Sequence, residues 1–230
     1  KKLIELAKSS SLDTIHSNFL KDAKRVSKYS IALEKLYVDF SKHLITDEIR
    51  VELNSLAATS ALLERRDAMF KGEPINLSED RSVLHVALRN PNFHNKTISS
   101  QVTTQLKRAS NIAEKIRSGE WQGCQGKAIQ NIVNIGIGGS DLGPKMACEA
   151  LKEYAHPNLK FYFISNLDGE PIRSLLDGLD PNSTLFVISS KTFKTQETMI
   201  NAQVAADWIG KELSIPDPLA SPHFLAITAS

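Results

Sequence analysis

Asn131-Ile-Val-Asn-Ile-Gly-Ile-Gly-Gly-Ser-Asp141 is the stretch on which the fold turns. A short run carrying Ile132, Val133 and Ile135 stops at glycine and serine, and apolar residues at helical spacing resume behind it at Met146, Ala147, Ala150, Leu151 and Tyr154. Apolar, β-branched runs of this length read as strands buried on both faces of a parallel sheet. Pro144 marks the start of the returning helix. The pattern then repeats. Leu159-Lys-Phe-Tyr-Phe-Ile164 ends in Ser165-Asn-Leu-Asp-Gly169 and leads, from Pro171, to Ile172, Leu175 and Leu176. Thr184-Leu-Phe-Val-Ile188 ends in Ser189-Ser-Lys-Thr-Phe-Lys-Thr-Gln-Glu-Thr198 and leads to Met199, Ala202, Ala206, Ile209 and Leu213, with Phe224 to Ile227 as a fourth strand. The fold class is α/β, a parallel sheet flanked by helices. Right-handed crossovers put the first and third loops at one edge of it.

Those two loops have the chemistry of an anion site. Gly136, Gly138 and Gly139 let backbone amides approach an oxyanion with no Cβ in the way, and the helix behind them offers unpaired N–H groups and a positive dipole end. Ser190, Lys191, Thr192 and Thr195 add hydroxyls and one ammonium, a set that suits a phosphate monoester. One glycine-rich turn alone is more often a plain tight connection; two hydroxyl-rich loops at one sheet edge argue for a phosphate between them. Two familiar nucleotide motifs fail on spacing. G-x-G-x-x-G counted from Gly136 and Gly138 reaches Asp141 instead of glycine. In G-x-x-x-x-G-K-[ST] counted from Gly138 and Gly143, Pro144 takes the lysine place and Lys145 the hydroxyl place. Asp168, where a dinucleotide fold would carry a ribose-binding acid, reads as a turn residue.

Asn134-Ile-Gly-Ile-Gly-Gly-Ser-Asp-Leu-Gly-Pro144, Ser165-Asn-Leu-Asp-Gly169 and Ser190-Lys-Thr-Phe-Lys-Thr-Gln-Glu-Thr198 together resemble the first sugar-isomerase (SIS) domain of the phosphoglucose isomerase family. The resemblance continues upstream through Leu44-Ile-Thr-Asp47, Arg66-Asp-Ala-Met-Phe-Lys-Gly72, Leu84-His-Val-Ala-Leu-Arg-Asn90 and Arg117-Ser-Gly-Glu-Trp121, covering nearly all the chain from about Tyr29. It implies an SIS-type α-β-α sandwich over residues 125–230, stopping short of its C-terminal end, after a mostly helical region 1–124 with a β-hairpin near 29–40. It also implies an aldose–ketose isomerase that interconverts D-glucose 6-phosphate and D-fructose 6-phosphate in glycolysis and gluconeogenesis. Such an enzyme opens the sugar ring, passes through an enediol and needs no cofactor.

Carried over by position, the family's phosphate contacts fall on Gly139 (backbone), Ser140, Ser190, Lys191, Thr192 and Thr195. Lys194 stands where many members have threonine, and its side chain is expected to point away. Glu197, in the first turn of its helix, fits two roles: orienting a catalytic group supplied from elsewhere, or complementing the helix dipole. Both readings stand. The family's base glutamate, ring-opening histidine and C-terminal lysine belong to segments beyond Ser230, so no residue here takes a catalytic role. The expectation is the N-terminal part of a longer, homodimeric enzyme, with this chain supplying the phosphate anchor.

Composition narrows the alternatives. Among 230 residues, 41% hydrophobic content supports a packed core, and a net charge of +2 gives no general pull towards nucleic acid or an anionic membrane. Cys124 and Cys148 form no C-x-x-C pair and read as reduced thiols of a cytoplasmic protein. No histidine stands at ligand spacing with a partner, so no metal is expected. His85 reads as a hydrogen-bonded structural residue, His94 and His156 as solvated ones. No apolar run approaches a membrane span. Two rivals remain. A non-catalytic sugar-phosphate-binding module leaves the upstream segments unexplained, and a nucleotide-dependent oxidoreductase or kinase is opposed by the glycine spacings.

Upstream, Leu12, Ile15, Phe19, Ala23 and Val26 have the spacing of one helix, with Ser11 or Asp13 as N-cap. Alternation through Tyr29, Ile31, Leu33 and then Leu36, Val38, Phe40 fits the hairpin. Thr46-Asp-Glu48 opens a helix with Leu53, Leu56 and Ala57 as its buried stripe, and a second helix over Ala61 to Phe70 stops at Gly72. Ser82 to Leu88 reads as a short helix before a Pro91-Asn-Phe-His-Asn95 loop. Val102, Leu106, Ala109, Ala113 and Ile116 then make an amphipathic helix stopped by Gly119.

Overall fold

A computed structural model describes residues 2–9, 14–90 and 92–229. They form two compact units, Lys1–Val102 and Thr103–Ser230. In the first, α1 (Lys2–Ser9), α2 (Thr14–Lys21) and α3 (Arg25–Lys28) replace the single helix expected there. Leu12, Ser11, Asp13 and Pro91 lie outside the described residues. The break after α2 has a local cause: the Asp22 carboxylate accepts from the Lys24 amide at 3.0 Å, a side-chain turn that competes with the helical ladder.

The hairpin is present, β1 (Ser30–Leu33) antiparallel to β2 (Leu36–Asp39), with Glu34 left-handed at φ 50° in the turn. Its alternation produces no buried face, since Ile31, Leu33, Leu36, Tyr37 and Val38 are all exposed. The buried charge of this unit is Arg25. Its Nε donates to the Ser41 carbonyl at 2.8 Å, and Nη2 donates to those of His43 and Ile45 at 2.9 Å each. The guanidinium lies 4.5 Å from the Tyr29 ring centroid. One side chain thereby holds the whole connection into α4 (Asp47–Thr59), which Thr46 caps at the Ile49 amide.

Behind α4, α5 (Leu62–Lys71) ends at left-handed Gly72. The stripe expected on α4 is corrected: Leu53 and Leu56 are exposed, because α4 packs against α1 and α5 without covering them. Of Ser82–Leu88 only a 3-10 turn over His85–Leu88 is helical, and His85 is exposed, its side chain making no hydrogen bond among the described residues, against the structural role expected. The helix α6 (Lys96–Ser118) starts at Asn95, whose Oδ1 accepts from the Ile98 amide, and stops at Gly119, φ 77°.

The second unit holds β3 (Asn131–Ile135), α7 (Gly139–Ala150), β4 (Lys160–Ile164), α8 (Gly169–Asp177), β5 (Thr184–Ser189), α9 (Gln196–Leu213) and β6 (Phe224–Ile227). The sheet order is β4-β3-β5-β6 and every pairing is parallel, with Ile135 beside both Ile164 and Ile188. On one face Val133, Ile135, Ile164 and Phe186 meet Ile172 and Leu176 of α8 and Ala205 and Ile209 of α9. On the other, Leu185 and Ile129 meet Ile112 and Ile116 of α6. Val133, Ile135, Leu185 and Phe186 are wholly buried, each worth roughly 1.5–3 kcal/mol against exposure. His223, also wholly buried, accepts the Cys124 amide at Nε2 (3.0 Å) and meets the Thr184 carbonyl through Nδ1 (2.8 Å). With Nε2 accepting, Nδ1 carries the proton.

The chain leaves central β3 for β4 on one side and comes back across it to β5 on the other. The connections therefore part between β3 and β5, the switch point at which open parallel sheets bind ligands beyond their carboxyl ends. Both hydroxyl-rich loops leave from there.

Candidate functional site

The first loop joins β3 to α7. Gly136 still belongs to the sheet, its amide donating to the Ile164 carbonyl at 3.1 Å. It must be glycine for space. A Cβ there would stand 2.9 Å from the Ser140 carbonyl oxygen and 3.0 Å from that of Ser189. Gly138 precedes α7 with φ 60° and ψ −123°, a backbone region open in practice to glycine alone. The helix then begins at Gly139, five residues ahead of the start expected at Pro144, which lies inside it. A proline interior to a helix leaves unpaired the carbonyl four residues back, here that of Ser140. Asn134 fills the vacancy, its Nδ2 donating to the Ser140 carbonyl at 2.9 Å.

The Ser140 and Asp141 amides turn back to the carbonyls of Ile137 and Gly138. The Gly138 and Gly139 amides have no carbonyl partner among the described residues. Gly139 is exposed and Ser140 half-buried. This loop therefore offers two glycine amides and one serine hydroxyl.

The second loop joins β5 to α9. Ser190 is buried, and its amide continues the ladder to the Ile227 carbonyl at 3.0 Å. Its Oγ lies 3.2 Å from Thr195 Oγ1, so the two hydroxyls predicted from sequence meet. Between them the turn passes through Phe193 at φ 54°. Lys191, Thr192 and Lys194 are exposed on that turn, and the Lys191 carbonyl accepts from the Ala229 amide at 3.1 Å and from Thr228 Oγ1 at 3.2 Å. Thr195 stands at the N-cap of α9, yet its side chain caps nothing. Glu197 is half-buried in the first turn.

Side chains cap the starts of α4, α6 and α8, through Thr46, Asn95 and Asp168, while α3 and α5 start without one. Both α7 and α9 begin with no side-chain cap. In the first turn of each, one polar atom is buried without a partner among the described residues, Asp141 Oδ1 in α7 and Thr198 Oγ1 in α9. An unsatisfied buried polar atom costs about 1–3 kcal/mol. The Asp141 oxygen accepts and gains nothing from an anion; it stands at the positive dipole end of α7, whereas the Thr198 hydroxyl can donate. What the arrangement can do is complete itself around an oxyanion: free amides from two helix starts, a bonded hydroxyl pair, a further serine and one lysine within a turn.

Sequence reasoning missed Asn134 and Ser189, which join the loops from beneath: Ser189 Oγ donates to Asn134 Oδ1 at 2.9 Å. The available signal was an asparagine inside an otherwise apolar buried strand. Asp168 serves as the cap of α8. Among the described residues no group of histidine, cysteine or acidic side chains could hold a metal, and no helix is long and apolar enough to cross a membrane.

A family model described as phosphoglucose isomerase matches residues 39–230. Glucose-6-phosphate isomerase 1 of Chromohalobacter salexigens is 44% identical over 223 residues, 95% of this chain and 40% of that protein. The glucose-6-phosphate isomerase of Deinococcus radiodurans is 47% identical over 217 residues, 92% of this chain and 40% of its own length. The crystal structure of a glucose-6-phosphate isomerase from Chlamydia trachomatis superposes with a TM-score of 0.75 at 24% identity, covering 93% of this chain and 41% of that one, which supports the fold. The chain spans about 40% of the length of the curated relatives it matches.

Proposed function

This chain belongs to the phosphoglucose isomerase family, and from that premise we propose that it supplies the phosphate anchor of an aldose–ketose isomerase acting on D-glucose 6-phosphate and D-fructose 6-phosphate. The observation that carries the reading is the pair of strand-to-helix loops at the sheet's switch point. Their helices both start uncapped, and the second loop carries the Ser190–Thr195 hydroxyl pair. We assign the phosphate to the Gly139 amide, Ser140, Ser190, Lys191, Thr192 and Thr195.

The reaction opens the sugar ring, takes a proton from the carbon beside the carbonyl and returns it to the neighbouring carbon, so a base must reach both carbons. Fixing the phosphate at the far end of the substrate sets those carbons against the base, and the contribution of these residues is positioning. Glu197, in the first turn of α9, is suited to orient a catalytic group brought by another segment. The working division is a mostly helical region over 1–124 and the sugar-phosphate-binding domain over 125–230. A homodimeric, cytoplasmic enzyme belongs to the same reading.

The test is a coupled isomerase assay with fructose 6-phosphate on the intact protein that carries this chain, alongside Ser190→Ala and Thr195→Ala. Hydrogen bonds to a charged group are worth about 1.5–3 kcal/mol, so each variant should weaken sugar-phosphate binding at least about tenfold. Binding without turnover in the intact protein would favour a regulatory module instead. Unchanged affinity in both variants would show that the phosphate sits elsewhere.

A further inference from the structure

Resting on the phosphate-anchor reading, we propose that Asn134 is a positioning residue that sets the spacing of the two phosphate loops by bridging them through its side chain. Asn134 is the fourth residue of β3 and is buried, 8% exposed. The Ser140 carbonyl can only accept, so the amide NH2 must face it. The amide oxygen is then left for the Ser189 hydroxyl, which donates. Both contacts are 2.9 Å. One end of this bridge lies in the first turn of α7, on Ser140 itself. The other lies on the residue before Ser190.

Among the described residues, Asn134 Nδ2 is the side-chain donor to the Ser140 carbonyl. In an ordinary helix the amide four residues on would satisfy the Ser140 carbonyl, but that residue is Pro144, which has no N–H. The loops are also close enough for a bridge to matter. The added Cβ at Gly136 would meet the Ser140 and Ser189 carbonyl oxygens at 2.9 and 3.0 Å, so the two backbones flank one glycine. A phosphate touching both loops samples any change in that gap directly, and misplacement of about 1 Å is enough to cost a bound group its geometry.

Pro144 also provides the means of testing the role. Asn134→Ala removes both contacts. Adding Pro144→Ala restores an amide for the Ser140 carbonyl while the link to Ser189 stays broken. The experiment is titration of the intact protein with inorganic phosphate and with fructose 6-phosphate, well below each variant's unfolding midpoint, for wild type, Pro144→Ala, Asn134→Asp, Asn134→Ala and the double variant. Asn134→Asp keeps the shape but sets a carboxylate against the Ser140 carbonyl, and both it and Asn134→Ala should weaken phosphate binding about tenfold. The double variant should regain the unfolding midpoint lost in Asn134→Ala but not the lost affinity.

Recovery of both would mean that Asn134 merely satisfies a carbonyl, and would overturn the inference. So would a wild-type affinity in Asn134→Asp. A wild-type protein that binds neither probe would overturn the anchor reading itself, and this one with it.

Discussion

Replacing Gly136 by alanine tests how tightly the two loops are set. The new methyl carbon would lie 2.9 Å from Ser140 Cβ, 2.9 Å from the Ser140 carbonyl oxygen and 3.0 Å from the Ser189 carbonyl oxygen. Carbon prefers about 3.5–4.0 Å from its non-bonded neighbours, so the gap must widen by roughly half an ångström. Two of the three contacts are backbone, which cannot swing aside as a side chain would. Overpacking of this kind costs about 1–3 kcal/mol. The displaced atoms lie next to the Asn134 bridge, whose bonds are each worth about 1 kcal/mol, so the expected loss is about 2–4 kcal/mol. At roughly 2–4 °C per kcal/mol for a unit of this size, the unfolding midpoint should fall by about 5–15 °C. Gly143→Ala is the matched control. It lies inside α7 with nothing beyond its chain neighbours and its own helix within 4 Å of its added Cβ; the gain of about 0.5–1 kcal/mol from helix propensity is opposed by Pro144, which disfavours helical backbone in the residue before it, so the change should be close to neutral. Thermal unfolding of both variants gives the comparison. A Gly136→Ala midpoint equal to wild type would mean that the gap opens freely, and the argument from close approach would be wrong.

Two further predictions concern parts away from the loops. The hydrogen bond from Lys127 (2.6 Å), with further ones from the Asn182 amide and the Ser183 hydroxyl, holds the Asp180 carboxyl below its usual value. A depressed carboxylate contributes stability that is fully present above its unfolded value of about 3.9 and is lost as pH falls through the folded one. Asp180→Asn should therefore unfold earlier than wild type at pH 6, with the gap closing below about pH 4; a gap that persisted at pH 2 would rule out the ionic origin. Arg25→Lys keeps the charge but cannot reach the carbonyls of Ser41, His43 and Ile45 together. It should cost about 2–3 kcal/mol and expose the connection before α4 to proteolysis, and equal digestion rates would contradict that.

The α/β core was legible because its signals are local and dense. Each strand is a short apolar run closed by small polar residues, and β3 and β6 fall where those runs do. The loop hydroxyls were legible for the same reason, and Ser190 and Thr195 do meet. What escaped depends on partners distant in sequence. Asn134 read as part of a motif, because a strand position does not reveal that Ser189, 55 residues on, will bond to it. Pro144 reads as a helix start because proline suits the first turn, and its place inside α7 is tolerated through a side chain from the preceding strand. Leu53 and Leu56 have the period of a buried stripe, but periodicity says which residues share a face and not whether anything lies over it. The first helix was over-extended because a single carboxylate, Asp22, can divert the chain at one residue.

The uncapped start of α9 has a consequence for how long the protein lasts. Thr195, the residue placed to close that helix end, has its hydroxyl on Ser190 instead, and on the proposed reading a bound phosphate ester would complete that helix end. A ligand held only by the folded state adds about 2.7 kcal/mol at a hundred times its dissociation constant. Shifts of that size change the cellular abundance of a marginally stable protein several-fold, through the fraction presented to proteases. On the proposed reading, the concentration of the sugar phosphate would then act on the amount of protein as well as on its occupancy.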